Sequence, residues 1–190
     1  MHTASKQVRL TFSCMIFFFF GLFHASLGPV LNELAIKSHS SLAAIGGVLT
    51  FLFLGALISQ ISTGPLFDRF GKRLILTLSL ILLGVSIVGF TLTQSIAWIF
   101  ILFLLSGMGQ GGVDMGVNLV VADSYPENNT RYLNLIHFFF GFGAFTGPLL
   151  VGLSILKLQT GLPVLWLAAG TMILLGMIIF FLSRDPSITS

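Results

Sequence analysis

Gly64-Pro65-Leu66-Phe67-Asp68-Arg69-Phe70-Gly71-Lys72-Arg73 packs an acid, three bases and two glycines into ten residues between two long apolar runs. Gly64 lets a helix end pack closely, Gly71 permits a tight turn, and the clustered cations mark one face of a membrane. Working outward, the flanking runs have the length of about 20 residues that an α-helix needs to cross ~30 Å of hydrocarbon. The same pattern recurs along the chain, and spans are predicted at about 10–34, 43–66, 74–93, 97–120, 132–156 and 162–182. The composition agrees. Of 190 residues 55% are hydrophobic and 8% charged, with a mean hydropathy of +1.02, whereas about a quarter of a soluble domain is charged. The expectation is an all-α integral membrane protein in which residues 1–190 form a single six-helix transmembrane domain. Strands are excluded because the apolar runs are continuous, where a membrane β-barrel would alternate.

Several function classes fall away on the same grounds. Six spans leave only short connectors, so there is no room for a soluble catalytic domain, and an enzyme is not expected. Cys14 is the sole cysteine, which rules out an intrachain disulfide, and no Cys/His cluster suggests a metal site or resident cofactor. The net charge of +3 and the pI near 9.4 rest on nine Lys and Arg, and their placement reports topology, not nucleic-acid binding. With the N-terminus inside, Lys6, Arg9, Arg69, Lys72, Arg73, Arg131 and Arg184 are cytoplasmic, and only Lys37 and Lys157 are external. Both termini are then cytoplasmic, in a plasma or inner membrane. The first apolar run, preceded by Lys6 and Arg9, imitates a secretory signal, but bulky Phe23 would occupy the position before Ser26 that wants a small residue. It reads as a retained helix. Thr63-Gly64-Pro65-Leu66 recurs as Thr146-Gly147-Pro148-Leu149, which would match the second span to the fifth if the chain is a 3+3 inverted repeat.

Four spans carry polar groups at membrane depth that call for a reading. Asp114 lies well inside the fourth, where insertion scales charge about 2.5–3.5 kcal/mol for a central acid and where such a group usually faces a cavity or a partner. Gly107, Gly111, Asp114 and Asn118 share one helical stripe, and Gly109, Gly112 and Gly116 share the opposite side. The first stripe reads as an open polar face and the second as a smooth packing face. A carboxyl so placed can gain or lose a proton as water reaches it from alternate sides; the competing reading is a structural Asp tied to Asn118 or a helix end. Asn134, His137 and Gly141 lie on one face of the fifth span and offer donors and acceptors suited to a neutral polyol. His137 also fits a plain interhelical hydrogen bond. Pro148 after Gly147 removes a helix hydrogen bond and predicts a bend. His24 is central in the first span, as a titrating group or a neutral hydrogen-bond partner. Glu33 is expected to be solvated near the external end, and Gln60 in the second span has no evident partner.

The decapeptide resembles the signature loop of the major facilitator superfamily, Gly-x-Leu-x-Asp-Arg-x-Gly-Arg/Lys-Arg/Lys, in residue types, spacing and position after the second span. The resemblance implies half of a major facilitator fold. It also implies a gating contact with neighbouring helices, made by Asp68, Arg69 and Arg73 within the loop framed by Gly64, Gly71 and Lys72; the competing reading is a basic loop that serves topology alone. Gly109-Gln110-Gly111-Gly112-Val113-Asp114, with Asn118, is similar to the Gly-x-Gly-x-x-Glu-x-x-x-Asn pattern of fucose:proton symporters. Asp114 stands where their functional Glu stands. Leu133-Asn134-Leu135-Ile136-His137, Gly141-Phe142-Gly143-Ala144 and Gly147-Pro148 resemble the related sodium-dependent glucose transporter group. On these resemblances the function is ion-coupled uptake of a monosaccharide or similar small polar solute by alternating access, with proton or sodium as coupling ion and Asp114, Asn118, Asn134, His137 and His24 as binding or coupling residues. The chain departs from the symporters in having no acid before Glu33, so two protonation partners reduce to one.

A complete transporter of this superfamily has twelve helices, and six present one wall of the path. The partners expected are therefore lipid, a small-molecule solute, and a second copy or a second six-helix half; Arg184-Asp185-Pro186 falls where a central linker would begin. Two alternatives stand beside this reading. Gly143-x-x-x-Gly147-Pro148-x-x-x-Gly152 partly resembles the fifth-helix motif of proton-driven efflux antiporters, with Val151 in place of the first of its two closing glycines. A truncated, non-transporting membrane protein is the other.

Overall fold

The computed structural model describes residues 2–182, with side chains from 6 to 181; Arg184-Asp185-Pro186 lies outside the described residues. Six apolar helices of membrane-spanning length fill that range. They are α1 (His2–Lys37), a short α2 (Leu42–Gly46) that leads into α3 (Val48–Phe70), α4 (Lys72–Leu92), α5 (Ile96–Ser124), α6 (Asn129–Leu158) and α7 (Leu162–Leu182). No strand occurs among the described residues. Four of the five spans before the last outrun their predicted limits at both ends, because polar flanking residues continue the helix once the apolar core has nucleated it; the third instead starts earlier and ends one residue sooner. Ser41 caps α2, its Oγ accepting the Ala44 N–H at 3.1 Å, and Gly71 ends α3 with φ of +84°, the left-handed region that glycine enters without penalty.

Packing follows a symmetric scheme. α1 pairs chiefly with α6 and α3 with α5; α4 packs on both α5 and α7, and α1 touches α7. Exchanging α1 with α5, α3 with α6 and α4 with α7 swaps α1–α6 with α3–α5 and α4–α5 with α1–α7 and leaves α4–α7 in place, and the exchanged helices run in opposite directions. The glycines make the correspondence residue-specific. A Cβ on Gly21 would strike the Phe140 carbonyl and stand 3.0 Å from the Ala144 nitrogen, while one on Gly107 would strike the Leu52 carbonyl and stand 3.0 Å from the Ala56 nitrogen. Gly143 meets Phe18 and Leu22 in the way that Gly55 meets Leu104 and Met108. Gly84 abuts Ala169 and Ile173, and Gly176 abuts Thr77 and Ile81. The matching residues are 86 apart between α1 and α5 (Gly21 and Gly107), 88 between α3 and α6 (Gly55 and Gly143) and 92 between α4 and α7 (Gly84 and Gly176). The same spacing relates the turns, since Gln159, which ends α6 with φ of 62°, lies 88 residues after Gly71. The chain is a 3+3 inverted repeat built on bare backbone contacts.

That register corrects one expectation. Thr63-Gly64-Pro65-Leu66 and Thr146-Gly147-Pro148-Leu149 are 83 residues apart, five out of step with the 88 that superposes α3 on α6. The tetrapeptides are a coincidence of composition: Gly147 abuts Leu22 and Ser26 of α1, whereas a Cβ on Gly64 would meet only the tip of Met115. α6 also runs as one helix through Gly147 and Pro148.

Polar ties fasten both ends of the bundle. At the end carrying the α3–α4 turn, Lys72 of α4 pairs with Asp123 of α5, and an Arg73 guanidinium N–H donates to the Phe180 carbonyl of α7. At the other end Lys37 donates to the Thr91 carbonyl and Trp166 Nε1 donates to Thr91 Oγ1 at 2.9 Å. Glu33, expected to be solvated, instead accepts from Thr160 Oγ1 and, at 2.8 Å, from the Gly161 N–H. It holds the α6–α7 turn onto α1, satisfying donors that the start of α7 leaves free.

Candidate functional site

The site starts from how α5 is wedged into the bundle. Gly109, Gly112 and Gly116 lie against Leu83, Ser79 and Leu76 of α4, the smooth packing expected of them. Gly107 and Gly111 were expected on an open polar face. They are buried against α3 instead: a Cβ on Gly111 would stand 2.6 Å from the Ala56 carbonyl oxygen and 2.9 Å from Ser59 Cβ. Asp114 and Asn118 lie further along the same stripe of α5, and both residues are half-buried. Only the second half of the predicted stripe therefore reaches the open side.

There Asn118 Nδ2 donates to Asp114 Oδ1 at 3.1 Å and to the Asp114 carbonyl at 2.8 Å. This bond turns the carboxyl along its own helix and leaves Oδ2 without a hydrogen bond among the described residues. From α6, His137 is close enough to act on the carboxyl electrostatically, with no direct bond between them. Asn134, His137 and Gly141 are all exposed along one face of α6, as their spacing predicted. The His137 ring meets Phe17 of α1 edge-on, at 5.3 Å between centroids and 79° between planes.

His24 of α1 forms a second polar position, beside Gln110, which lies one helical turn before Asp114 on α5. Phe20, Phe53 and Phe140 surround its ring, each 6.2 Å away centroid to centroid, and Gln110 of α5 is the polar side chain that reaches it. The structure thus brings His24, Asp114, Asn118 and His137 to one side of the bundle on α1, α5 and α6, among phenylalanines. Asn134 shares that side, and Gln60 is exposed on α3. Sequence reading passed over Gln110. It is neutral, sits among glycines and is only 9% exposed; in retrospect its signal was a polar residue four positions before Asp114.

The loop residues divide. Lys72 and Arg73 tie α4 to α5 and α7 as described, whereas Asp68 and Arg69 are exposed, the Arg69 guanidinium lying 5.2 Å from the Phe70 ring centroid. The loop's ion pair within the described residues is Lys72–Asp123, and sequence reading had not singled out Asp123.

Two inverted triplets of membrane-spanning helices, with a carboxyl and two imidazoles on one side, define one half of a multi-pass transporter bundle. The model of the Major Facilitator Superfamily matches residues 13–190, and the chain belongs to that superfamily, whose members are transporters and not enzymes. The chain is 31% identical over 137 residues to the Major facilitator superfamily domain-containing protein 4A of Xenopus tropicalis, covering 71% of this chain and 27% of that protein. The human protein of the same name is likewise 31% identical over 137 residues, covering 71% and 26%. The Sodium-dependent glucose transporter 1 of Rattus norvegicus is 27% identical over 159 residues, covering 80% of this chain and 33% of its own length. The chain therefore spans about a quarter to a third of the curated relatives it matches.

Proposed function

We propose that this chain forms one wall of a secondary transporter that takes up a monosaccharide or a similar small neutral polar solute, coupled to a proton or sodium gradient. The observation that carries the reading is the Asp114–Asn118–His137 group, a carboxyl with one oxygen unbonded beside an imidazole on the open side of the bundle. A membrane-depth acid is retained at a cost and is most often part of an ion or substrate path. Nearby His24, His137 and Asn134 supply hydrogen bonds to hydroxyl groups, and the phenylalanines offer apolar faces to ring C–H groups. The printed name of the rat relative supports sugar as the solute and sodium as one candidate ion.

Alternating access needs two walls that rock about the site. The second wall is supplied by another copy of this chain or by a second six-helix half, in a plasma or inner membrane with both chain ends cytoplasmic. Asp68 and Arg69, exposed at the α3–α4 turn, face outward to gate against that second wall.

Asp114→Asn tests the reading in proteoliposomes loaded with an ion gradient. Uphill accumulation of D-glucose is lost, while membrane insertion and exchange at equilibrium persist. Unchanged uphill uptake in the variant would remove Asp114 from coupling.

A further inference from the structure

His24 and Gln110 are 86 residues apart, the separation that superposes α1 on α5, so they are equivalent positions facing each other across the pseudo-two-fold axis. Their exposed atoms differ. His24 Nδ1 and Gln110 Oε1 are both enclosed and both lack a hydrogen-bond partner, while His24 Nε2 is not among the enclosed atoms. Gln110 is the side chain that reaches the imidazole, and the rings of Phe20, Phe53 and Phe140 occupy the other sides. A buried polar atom without a partner is rare because it loses water and gains nothing. A neutral imidazole carries one N–H and one lone pair, and which nitrogen holds the proton is set by the bond the other makes. An amide oxygen is an acceptor only. The two orphaned atoms satisfy each other in one way alone, with the proton on Nδ1.

We propose that Gln110 is the positioning residue of this site: its Oε1 accepts the Nδ1–H of His24, which fixes the neutral ring with its Nε2 lone pair turned to the open side as a hydrogen-bond acceptor. The group that meets Nε2 is then a donor, a hydroxyl of the solute, and not an anion or a carbonyl. Gln110 acts through His24 without touching solute. The tautomer stands by itself; only the identity of the group at Nε2 rests on the sugar reading.

The test is nitrogen-15 NMR of the full chain in lipid bilayers, labelled at its four histidines, His2, His24, His39 and His137, with the His24 signals assigned by their loss in His24→Gln. Wild type shows Nδ1 protonated and Nε2 bare, and magnetisation passes from Nδ1–H to the Gln110 side-chain carbonyl. Gln110→Met keeps the volume but removes the acceptor, and the proton moves to Nε2. Ser106→Ala, a change one turn away on the same buried stripe of α5, leaves the His24 pattern unchanged. A wild-type ring protonated on Nε2 overturns the proposal without any variant, so a Gln110→Met chain that fails to fold does not shield it. An identical pattern in folded Gln110→Met also overturns it. With the tautomer established, Gln110→Met weakens D-glucose binding about tenfold. A wild-type chain that shows the Nδ1–H tautomer and binds no sugar overturns the sugar reading and leaves the role of Gln110 standing.

Discussion

Asp114 gives one carboxylate oxygen to Asn118 and keeps the other free, so the two residues have separable duties. On the proposed reading, Asn118 orients the carboxyl and Asp114 carries the exchangeable charge. Hydrogen bonds between side chains inside membranes average ~0.6 kcal/mol and reach ~1.7. Asn118→Leu is therefore expected to lower unfolding free energy in detergent by about 0.5–1.5 kcal/mol and to slow uphill uptake without abolishing it. Complete loss of accumulation, equal to that of Asp114→Asn, would show that Asn118 belongs to the coupling step itself. Asp114 was legible in the sequence because a charge in twenty apolar residues has no inexpensive explanation. Gln110 and Asp123 were not. An amide among glycines looks like spacing, and an acid near a helix end looks like a solvated one, until the fold sets them against His24 and Lys72.

At the scale of the element, helices meet where side chains are missing. Water gives no hydrophobic drive between helices already in lipid, so close backbone approach and the dispersion it brings hold the pairs together. Gly143 is seated on the α1 backbone at Phe18 and Leu22, while a Cβ on Gly141, two positions away, meets nothing within 4 Å. Gly143→Val is expected to destabilise the bundle by at least the 1–3 kcal/mol typical of overpacking, read as thermal or denaturant unfolding in detergent. Gly141→Val serves as the internal control, with a change within about 0.5 kcal/mol. Equal effects would mean that helix propensity, not contact, sets the penalty. The existence of the helices came from hydropathy alone, but which glycine meets which helix did not. Composition offered Thr-Gly-Pro-Leu twice as the mark of a repeat, and the repeat lies instead in glycines with unrelated neighbours. A contact made by backbone leaves only the absence of a side chain in the sequence, and twenty-one glycines give too many ways to pair them.

For the whole molecule, the decisive asymmetry is between the helices that are enclosed and those that are not. Of their most apolar stretches, 22% of α6 and 33% of the α2–α3 span are buried, against 39% for α7, 50% for α1 and α5 and 56% for α4. α3 and α6 are related by the inverted repeat, so the bundle is open symmetrically on both sides of its axis. Lipid would meet those faces without objection if they were purely apolar. They are not, since His137, Asn134 and Gln60 are exposed there, and polar groups at membrane depth normally turn toward protein or a watery cleft. The second wall proposed above would resolve this, and a second copy is the source put to the test because it would present the same residues in return. Cysteines introduced singly at Gly141 or Gly152, in a Cys14→Ser background, test it: neither position has a neighbour within 4 Å to obstruct a Cβ. Oxidation in native membranes is expected to trap a covalent pair of chains from at least one position, and solute to change its yield as the path opens and closes. Monomer from both positions, with each thiol reactive to a small reagent, would assign the second wall to a six-helix half of different sequence and leave these six helices as one half of an unequal pair.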